Sequence, residues 1–375
     1  MAGFPGAEHP DASSADAMPG KAPAAEVLFE RRGHLGVVTL NRPKAVNALN
    51  AGMVAAMLEQ LTAWADDDGV ATVLVHGAGE RGLCAGGDIV AIYQDMLAGG
   101  TGTAAFWENE YRLNSLIAGY PKPYVALMDG LVLGGGVGIS AHGSVRVVTE
   151  RTRTGMPETT IGFVPDVGGT WLLAKSPGEA GTHAALTGAH LSGADALFLG
   201  LADHYVPSES LPGLAAALEH ETAEAAVGRF STKAPSSGLE AQRGWIDACY
   251  SSDDAEEIVR RLRTVQGESG AEAADAARTI EAKSPTAVRV ALESLRRVKG
   301  LSLDEALAQE YRVGLRCLGG PDFREGIRAQ VVDKDRTPQW KPATLHEVQA
   351  ADVERYFAPL GDRELNLQSK EPDNV

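Results

Sequence analysis

Between two apolar stretches, Tyr124-Val125-Ala126-Leu127-Met128 and Ser144-Val145-Arg146-Val147-Val148-Thr149, the chain reads Gly134-Gly135-Gly136-Val137-Gly138. Glycines packed this densely leave almost no side-chain bulk, so main chain can come close to main chain or to a ligand there. The flanking runs read as strands and the glycines as the start of a short helix. Its free N–H groups then point outward at a helix N-terminus carrying roughly half a positive charge. That predicts a site for an anion or an oxyanion, against the plainer reading of tight backbone packing. A dinucleotide fingerprint competes, because Gly136-Val137-Gly138-Ile139-Ser140-Ala141 fits G-x-G-x-x-A and Glu158 follows about twenty residues on. The next strand starts at Ser144, however, which leaves only a short helix where a parallel crossover needs a dozen or more residues.

Strand and helix alternate through the whole first half. His34 to Leu40 reads as a strand that stops at Asn41-Arg42-Pro43. Asn50 is placed to cap a helix whose Val54, Met57, Leu58, Leu61 and Trp64 share one face. Val70 to His76 gives another strand, which runs through a Gly-rich loop into Ala85-Gly86-Gly87-Asp88-Ile89. A further helix covers 106–113 and ends before Pro121 and Pro123. This is the pattern of an α/β layer fold. Beyond about residue 205 the strands fade, and Ala-, Glu- and Arg-rich runs at 253–265, 271–283, 286–298 and 303–316 predict helices. The expected organisation is a tail over 1–24, a core over 25–205, a helical region over 206–366 and a second tail over 367–375.

Fifty acidic against thirty-four basic residues leave a net charge of -16. That argues against nonspecific binding to nucleic acid or to an anionic membrane, and an anionic ligand would need local basic groups or backbone donors. The first 24 residues lack both the apolar core of a secretory signal and the arginines of a mitochondrial transit peptide, and they carry Glu8, Asp11 and Asp16. They read as a flexible tail, and the expected location is cytoplasmic. No later segment is apolar over the ~20 residues that span a bilayer. Cys84, Cys249 and Cys317 are too few and too scattered for a disulfide framework or a CxxC metal site, which fits a reducing compartment.

The chemistry concentrates in Met156-Pro157-Glu158-Thr159-Thr160-Ile161-Gly162-Phe163-Val164-Pro165-Asp166-Val167-Gly168-Gly169. Loop carboxylates usually face solvent. Here Met156, Ile161, Phe163 and Val164 pull the segment inward, so Glu158 and Asp166 are expected at a partly apolar cleft where desolvation raises a carboxylate pKa. Ala85-Gly86-Gly87-Asp88 is a second small-residue loop, either an ordinary turn or the source of another N–H donor from Gly87. Cys84 beside it reads as a small buried hydrophobe rather than a nucleophile. Glu110 lies on a helix, and its plain reading is a surface pair with Arg112 or Arg151. Serine-hydrolase elbow, Walker and H-E-x-x-H motifs are missing from the sequence, which leaves a carboxylate mechanism.

These residues resemble the crotonase (enoyl-CoA hydratase/isomerase) superfamily, most closely its 3-hydroxyisobutyryl-CoA hydrolase branch. The resemblance runs from about Glu26 to about Pro342 through NRPKAVNALN (41–50), CAGGDI (84–89), EYRLN (110–114), KPYVALMDG (122–130), GGGVG (134–138), MPETTIGFVPDVGG (156–169), LTG (186–188), KSPT (283–286) and DFREGIRAQVVDKDRTPQW (322–340). It implies an α/β fold, a spiral of ββα units with a helical C-terminal region. It implies an acyl-CoA thioester whose carbonyl oxygen is held by the amides of Gly87 and Gly135, with Glu110, Gly135, Glu158 and Asp166 contacting substrate. The CoA moiety would run along the loop of Gly86 and Asp88 and near Arg42 or Lys44. Glu158 would be a nucleophile or a base for water, and Asp166 would orient the substrate hydroxyl or assist proton transfer to the departing thiolate.

The implied reaction is thioester hydrolysis in valine degradation, with no metal or redox cofactor and CoA only as part of the substrate. Superfamily members form homo-oligomers through the helical C-terminal region, and the oligomeric state of this chain stays open. Hydratases of the superfamily use a second glutamate, and the position it would occupy is Gly138. Hydratase or isomerase chemistry and noncatalytic acyl-CoA binding are the alternatives, and the acyl preference among short 3-hydroxyacyl thioesters stays open.

Overall fold

Parallel strands covered on both faces read as unbroken apolar runs, and Tyr124–Met128 is one, with all five residues buried. In the computed structural model, which describes residues 25–367, it lies inside a six-stranded sheet. The order is β1 (Val27–Arg32), β2 (Leu35–Leu40), β3 (Thr72–Gly77), β4 (Tyr124–Met128), β6 (Val145–Val148) and β9 (His204–Tyr205). Only the β1–β2 hairpin is antiparallel; Leu35 pairs with Thr72, Val73 with Tyr124 and Val125 with Val145 in parallel register. A smaller sheet holds β5 (Leu131–Leu133), β7 (Arg153–Gly155) and β8 (Leu191–Ser192).

The turn out of β4 hands the chain from one sheet to the other. β5 joins the small sheet, the glycine helix α4 (Gly135–Gly138) follows, and β6 returns beside β4. A parallel return therefore does exist, over residues 129–144, contrary to the sequence argument that too little chain was left. The glycine helix still does not follow the strand that β6 pairs with, as a dinucleotide-binding crossover would require.

Helix α1 (Ala51–Ala65) is capped by Asn50, whose side chain accepts from Met53 N–H at 2.9 Å, and it buries Met53, Val54, Met57, Leu61 and Trp64. Helix α2 (Ile89–Ala98) follows the Gly-rich loop with Asp88 as its cap. Helix α3 (Gly102–Ala118) is longer than the predicted 106–113 and packs on α1. Strand β9 is the last one among the described residues. An apolar cluster nonetheless runs through both halves, from Val38 and Val75 in the sheet to Leu292, Leu307 and Phe323 in the helical region. The helices Pro285–Arg297, Leu303–Gly319 and Pro321–Ile327 lie against α3, against α5 (Gly169–Ala174) and against the 3-10 turn Glu158–Ile161. The two expected tails fall outside the described residues, except Leu367, which packs against this cluster.

Candidate active site

Glu110 sits midway along α3, Glu158 opens the 3-10 turn after β7, and Asp166 lies in the loop before α5. All three are buried, at 2%, 8% and 6% exposure. They line one cavity of about 440 Å³ together with Gly86, Gly87, Gly134 and Gly135. The plain reading of Glu110 as a surface ion pair is therefore corrected. Arg112 pairs with Glu108 and Arg151 with Asp129, while the helical phase of α3 turns Glu110 inward.

Carboxylate oxygens occupy the space that side chains on the glycine loop would need. A Cβ on Gly135 would meet Glu110 Oε1 at 2.6 Å, and one on Gly134 would meet Glu158 Oε1 at 2.7 Å. Gly134 also has φ +49, in the left-handed region that favours glycine. Glu110 Oε1 and Glu158 Oε2 are buried without a hydrogen-bond partner. Such atoms are costly in a folded interior, and here both belong to side chains that face a cavity.

Burial pushes the Glu110 and Glu158 carboxyl groups well above the ordinary range, and the charge of Asp166 pushes them further. Burial also raises Asp166, to about 7, against the opposing hydrogen bond from Tyr111. The Tyr111 hydroxyl donates to Asp166 Oδ2 at 2.8 Å. A cluster of this kind supplies acids and bases near neutral pH.

Two backbone glycines lie close together in the same lining. Leu49 and Gly87 form a parallel bridge in which Leu49 N–H donates to Gly86 O at 2.8 Å and Asp88 N–H donates to Leu49 O at 2.7 Å. In that pattern the Gly87 N–H points away from Leu49, toward the start of α4. Gly87 N lies 3.5 Å from where a Gly135 Cβ would be, so the two glycines are neighbours in the cavity lining. As the first residue of α4, Gly135 has an N–H with no partner within the helix.

Aromatic rings form much of the apolar lining. Trp107, Phe163 and Phe323 stack with centroids 5.1 Å, 4.7 Å and 6.2 Å apart, and all three line the cavity with Ile89, Ile92 and Phe106. Lys283 lines it too, donating to Thr160 Oγ1 at 2.6 Å; burial lowers its ammonium pKa to about 8. Reasoning from the sequence assigned no site role to Phe323 or Lys283, although both stand in blocks that carried the resemblance.

The remaining candidates lie elsewhere. Asp88 caps α2 and pairs with Arg42 at 2.9 Å, away from the cavity lining. Arg42 also pairs with Glu26 at 3.1 Å. Lys44 is exposed on the short turn Pro43–Ala45. Cys84 is buried and burial pushes its thiol up to about 12, which fits a packing role. Among the described residues no group of three or more His, Cys, Asp or Glu is arranged to hold a metal ion, and no helix is long and apolar enough to cross a membrane.

The family model described as Enoyl-CoA hydratase/isomerase matches residues 35–357. The chain belongs to that family. It is 42% identical, over 92% of its own length and 91% of the relative's, to a protein of Rattus norvegicus named 3-hydroxyisobutyryl-CoA hydrolase, mitochondrial. Among solved structures, a carnitinyl-CoA dehydratase from Mycobacterium thermoresistibile superposes with TM-score 0.88 at 52% identity, covering 92% of this chain and 99% of that one. An enoyl-CoA hydratase from Rhodobacter sphaeroides gives TM-score 0.86 at 39% identity, covering 91% and 100%. The crotonase-type α/β fold expected from the sequence is thus shown. The cytoplasmic location is not: the curated relatives are named as mitochondrial, which overturns it. The composition of residues 1–24, which lie outside the described part, was no guide to the compartment.

Proposed function

We infer that the chain is an acyl-CoA thioester hydrolase that cleaves 3-hydroxyisobutyryl-CoA into 3-hydroxyisobutyrate and CoA. The observation that carries this reading is the shape of the site, two neighbouring glycines beside a buried Glu158 whose Oε2 has no partner, in a chain whose curated relatives are named for that reaction. Attack on a thioester concentrates negative charge on the carbonyl oxygen. Donors placed in advance by Gly87 and Gly135 therefore act more strongly on the transition state than on the ground state.

Glu158 attacks the carbonyl carbon to give a mixed anhydride, or takes a proton from the attacking water. By either route the C–S bond breaks, the electron pair leaves on sulfur, and water supplies the new carboxylate oxygen. Asp166, with a pKa about 7, is suited to hold the proton that the departing thiolate needs, or to bind the 3-hydroxyl. The rings of Trp107, Phe163 and Phe323 confine the acyl group. The proposal calls on no group beyond chain, substrate and water. It includes self-association through the helical C-terminal region, which the mass in solution tests.

Dehydratase or hydratase chemistry is the second reading, favoured by the name of the structure at 52% identity. Hydratases of the family carry their second acid on the glycine helix itself, where this chain has Gly138. A Cβ on Gly138 would meet Val167 Cβ at 2.7 Å and Asn114 Nδ2 at 2.8 Å, so that position has no room for a carboxylate. Incubation with 3-hydroxyisobutyryl-CoA and a thiol reagent separates the readings. Release of free CoA supports the hydrolase, whereas loss of enoyl absorbance from an enoyl-CoA with no thiol released supports a hydratase.

A further inference from the structure

Val167, between Asp166 and Gly168, has φ +53. A β-branched residue is strained in that left-handed conformation, and such strain persists only where the surroundings enforce it. Three buried side chains surround the turn. Tyr111 donates to Asp166 Oδ2. His142, kept neutral because burial lowers its pKa to about 4, donates through Nε2 to the Val167 carbonyl at 2.8 Å. Glu310, 1% exposed, accepts Gly168 N–H through Oε2 at 2.6 Å; through Oε1 it accepts Thr170 N–H at 3.0 Å and the Thr170 hydroxyl.

Glu310 arrives from the helix Leu303–Gly319, far along the chain from Asp166. The neighbouring Tyr311 packs edge-on against Tyr111 at 6.2 Å and 80°. The Glu-Tyr-Arg triplets at 110–112 and 310–312 thus meet beside the Asp166 turn. A fully buried carboxylate costs stability that an apolar side chain of the same volume would not. At Glu310 the cost is offset by three donated hydrogen bonds, all from Gly168 and Thr170.

We propose that Glu310 is a positioning residue, which fixes the strained turn carrying Asp166 and makes the C-terminal helical region part of the active site. The kinetic consequence rests on the hydrolase reading; the structural one does not. In Glu310→Gln one acceptor becomes an NH₂ group that cannot accept from Thr170 N–H. With 3-hydroxyisobutyryl-CoA, kcat should fall about 10- to 100-fold while KM stays within about threefold, because the turn carries catalysis more than substrate affinity.

The pH–rate limb of Asp166 should stay near its wild-type position. The charged and titratable groups around the turn are Glu110 and Tyr111 from α3, Glu158 from the 3-10 turn, His142 after α4, and Glu310. The Glu310 carboxyl, raised to about 8 by burial, is still neutral where Asp166 titrates near 7, so Gln in its place removes no charge that Asp166 feels. Hydrogen–deuterium exchange over 164–171 should accelerate about tenfold, with the β-strands unchanged.

If Glu310→Gln fails to fold, Thr170→Val, which removes only the hydroxyl contact, should show the same changes at smaller amplitude. Wild-type kcat with unaltered local exchange overturns the proposal, as does exchange that rises equally throughout the chain. A wild type that releases no CoA counts against the hydrolase reading, and the exchange measurement then still decides whether Glu310 holds the turn.

Discussion

Replacing Gly138 with alanine sets two opposed effects against each other. The helical backbone gains about 1 kcal/mol when alanine replaces glycine, chiefly because the unfolded chain loses freedom. Against this, the new methyl group would stand 2.7 Å from Val167 Cβ and 2.8 Å from Asn114 Nδ2, where ordinary contact begins at 3.4 Å. The shortfall is 3.4 − 2.7 = 0.7 Å on the Val167 side. Val167 Cβ is one bond from a backbone held at φ +53, so it cannot swing aside. Overpacking of this kind costs about 1–3 kcal/mol, and the net loss should be about 0–2 kcal/mol, read as a modest drop in thermal midpoint. The catalytic effect should be larger, since a 0.7 Å shift at Val167 moves the adjacent Asp166, and an error near 1 Å can cost about 100-fold in rate. Thiol release from 3-hydroxyisobutyryl-CoA should fall about 10- to 100-fold. Gly138→Glu should be less stable still and should not hydrate an enoyl-CoA. An alanine variant of full activity and raised stability, or a glutamate variant that hydrates, would refute the packing argument against a hydratase.

Two other substitutions test the electrostatics of the cavity. The Asp166 pKa is raised on folding, so its contribution to stability is full below the unfolded value near 3.8 and is lost as pH rises through about 7; Asp166→Asn should therefore stabilise the chain at pH 8 and change little near pH 4, in thermal melts at both pH values, while slowing thioester hydrolysis. The Lys283 pKa is lowered from 10.5 to about 8, so the wild type gains stability as pH climbs between those values; Lys283→Met should raise the melting temperature most at pH 7 and progressively less toward pH 10, and an equal gain at every pH would contradict the reading of a penalised buried ammonium.

Much of the site was legible in the sequence because its parts are local. The glycines of 134–138, the loop of Gly86 and Gly87, and the Glu158–Asp166 segment each sit within a few residues of a strand end, where turn chemistry and hydrophobic context mark them. The Asn50 cap and the Met57–Trp64 face were readable for the same reason. Helix α2 was not, because Ile89, Val90, Ile92 and Leu97 give no clear polar face and the Gly-rich loop before it hides its start. Strand β1 ends in charged, exposed residues and shows little alternation. Lys283 and Phe323 reach the cavity, and Glu310 the Asp166 turn, from the C-terminal half, and their local sequences are those of ordinary helices and the turns between them. Only the packing of helices 285–297, 303–319 and 321–327 onto the α/β core reveals them. The inward turn of Glu110 depends likewise on which face of α3 meets α4 rather than on its neighbours in sequence.

The account depends most on the Glu158 carboxylate lying beside the amides of Gly87 and Gly135, and steady-state hydrolysis of 3-hydroxyisobutyryl-CoA by Glu158→Gln tests that directly. Glutamine keeps the size of the side chain but can neither attack the carbonyl nor take a proton from water, so kcat should drop by about 100- to 10,000-fold, with CoA binding and the folded structure preserved. Turnover of the Gln variant within a few-fold of wild type would show that the thioester is cleaved by another group.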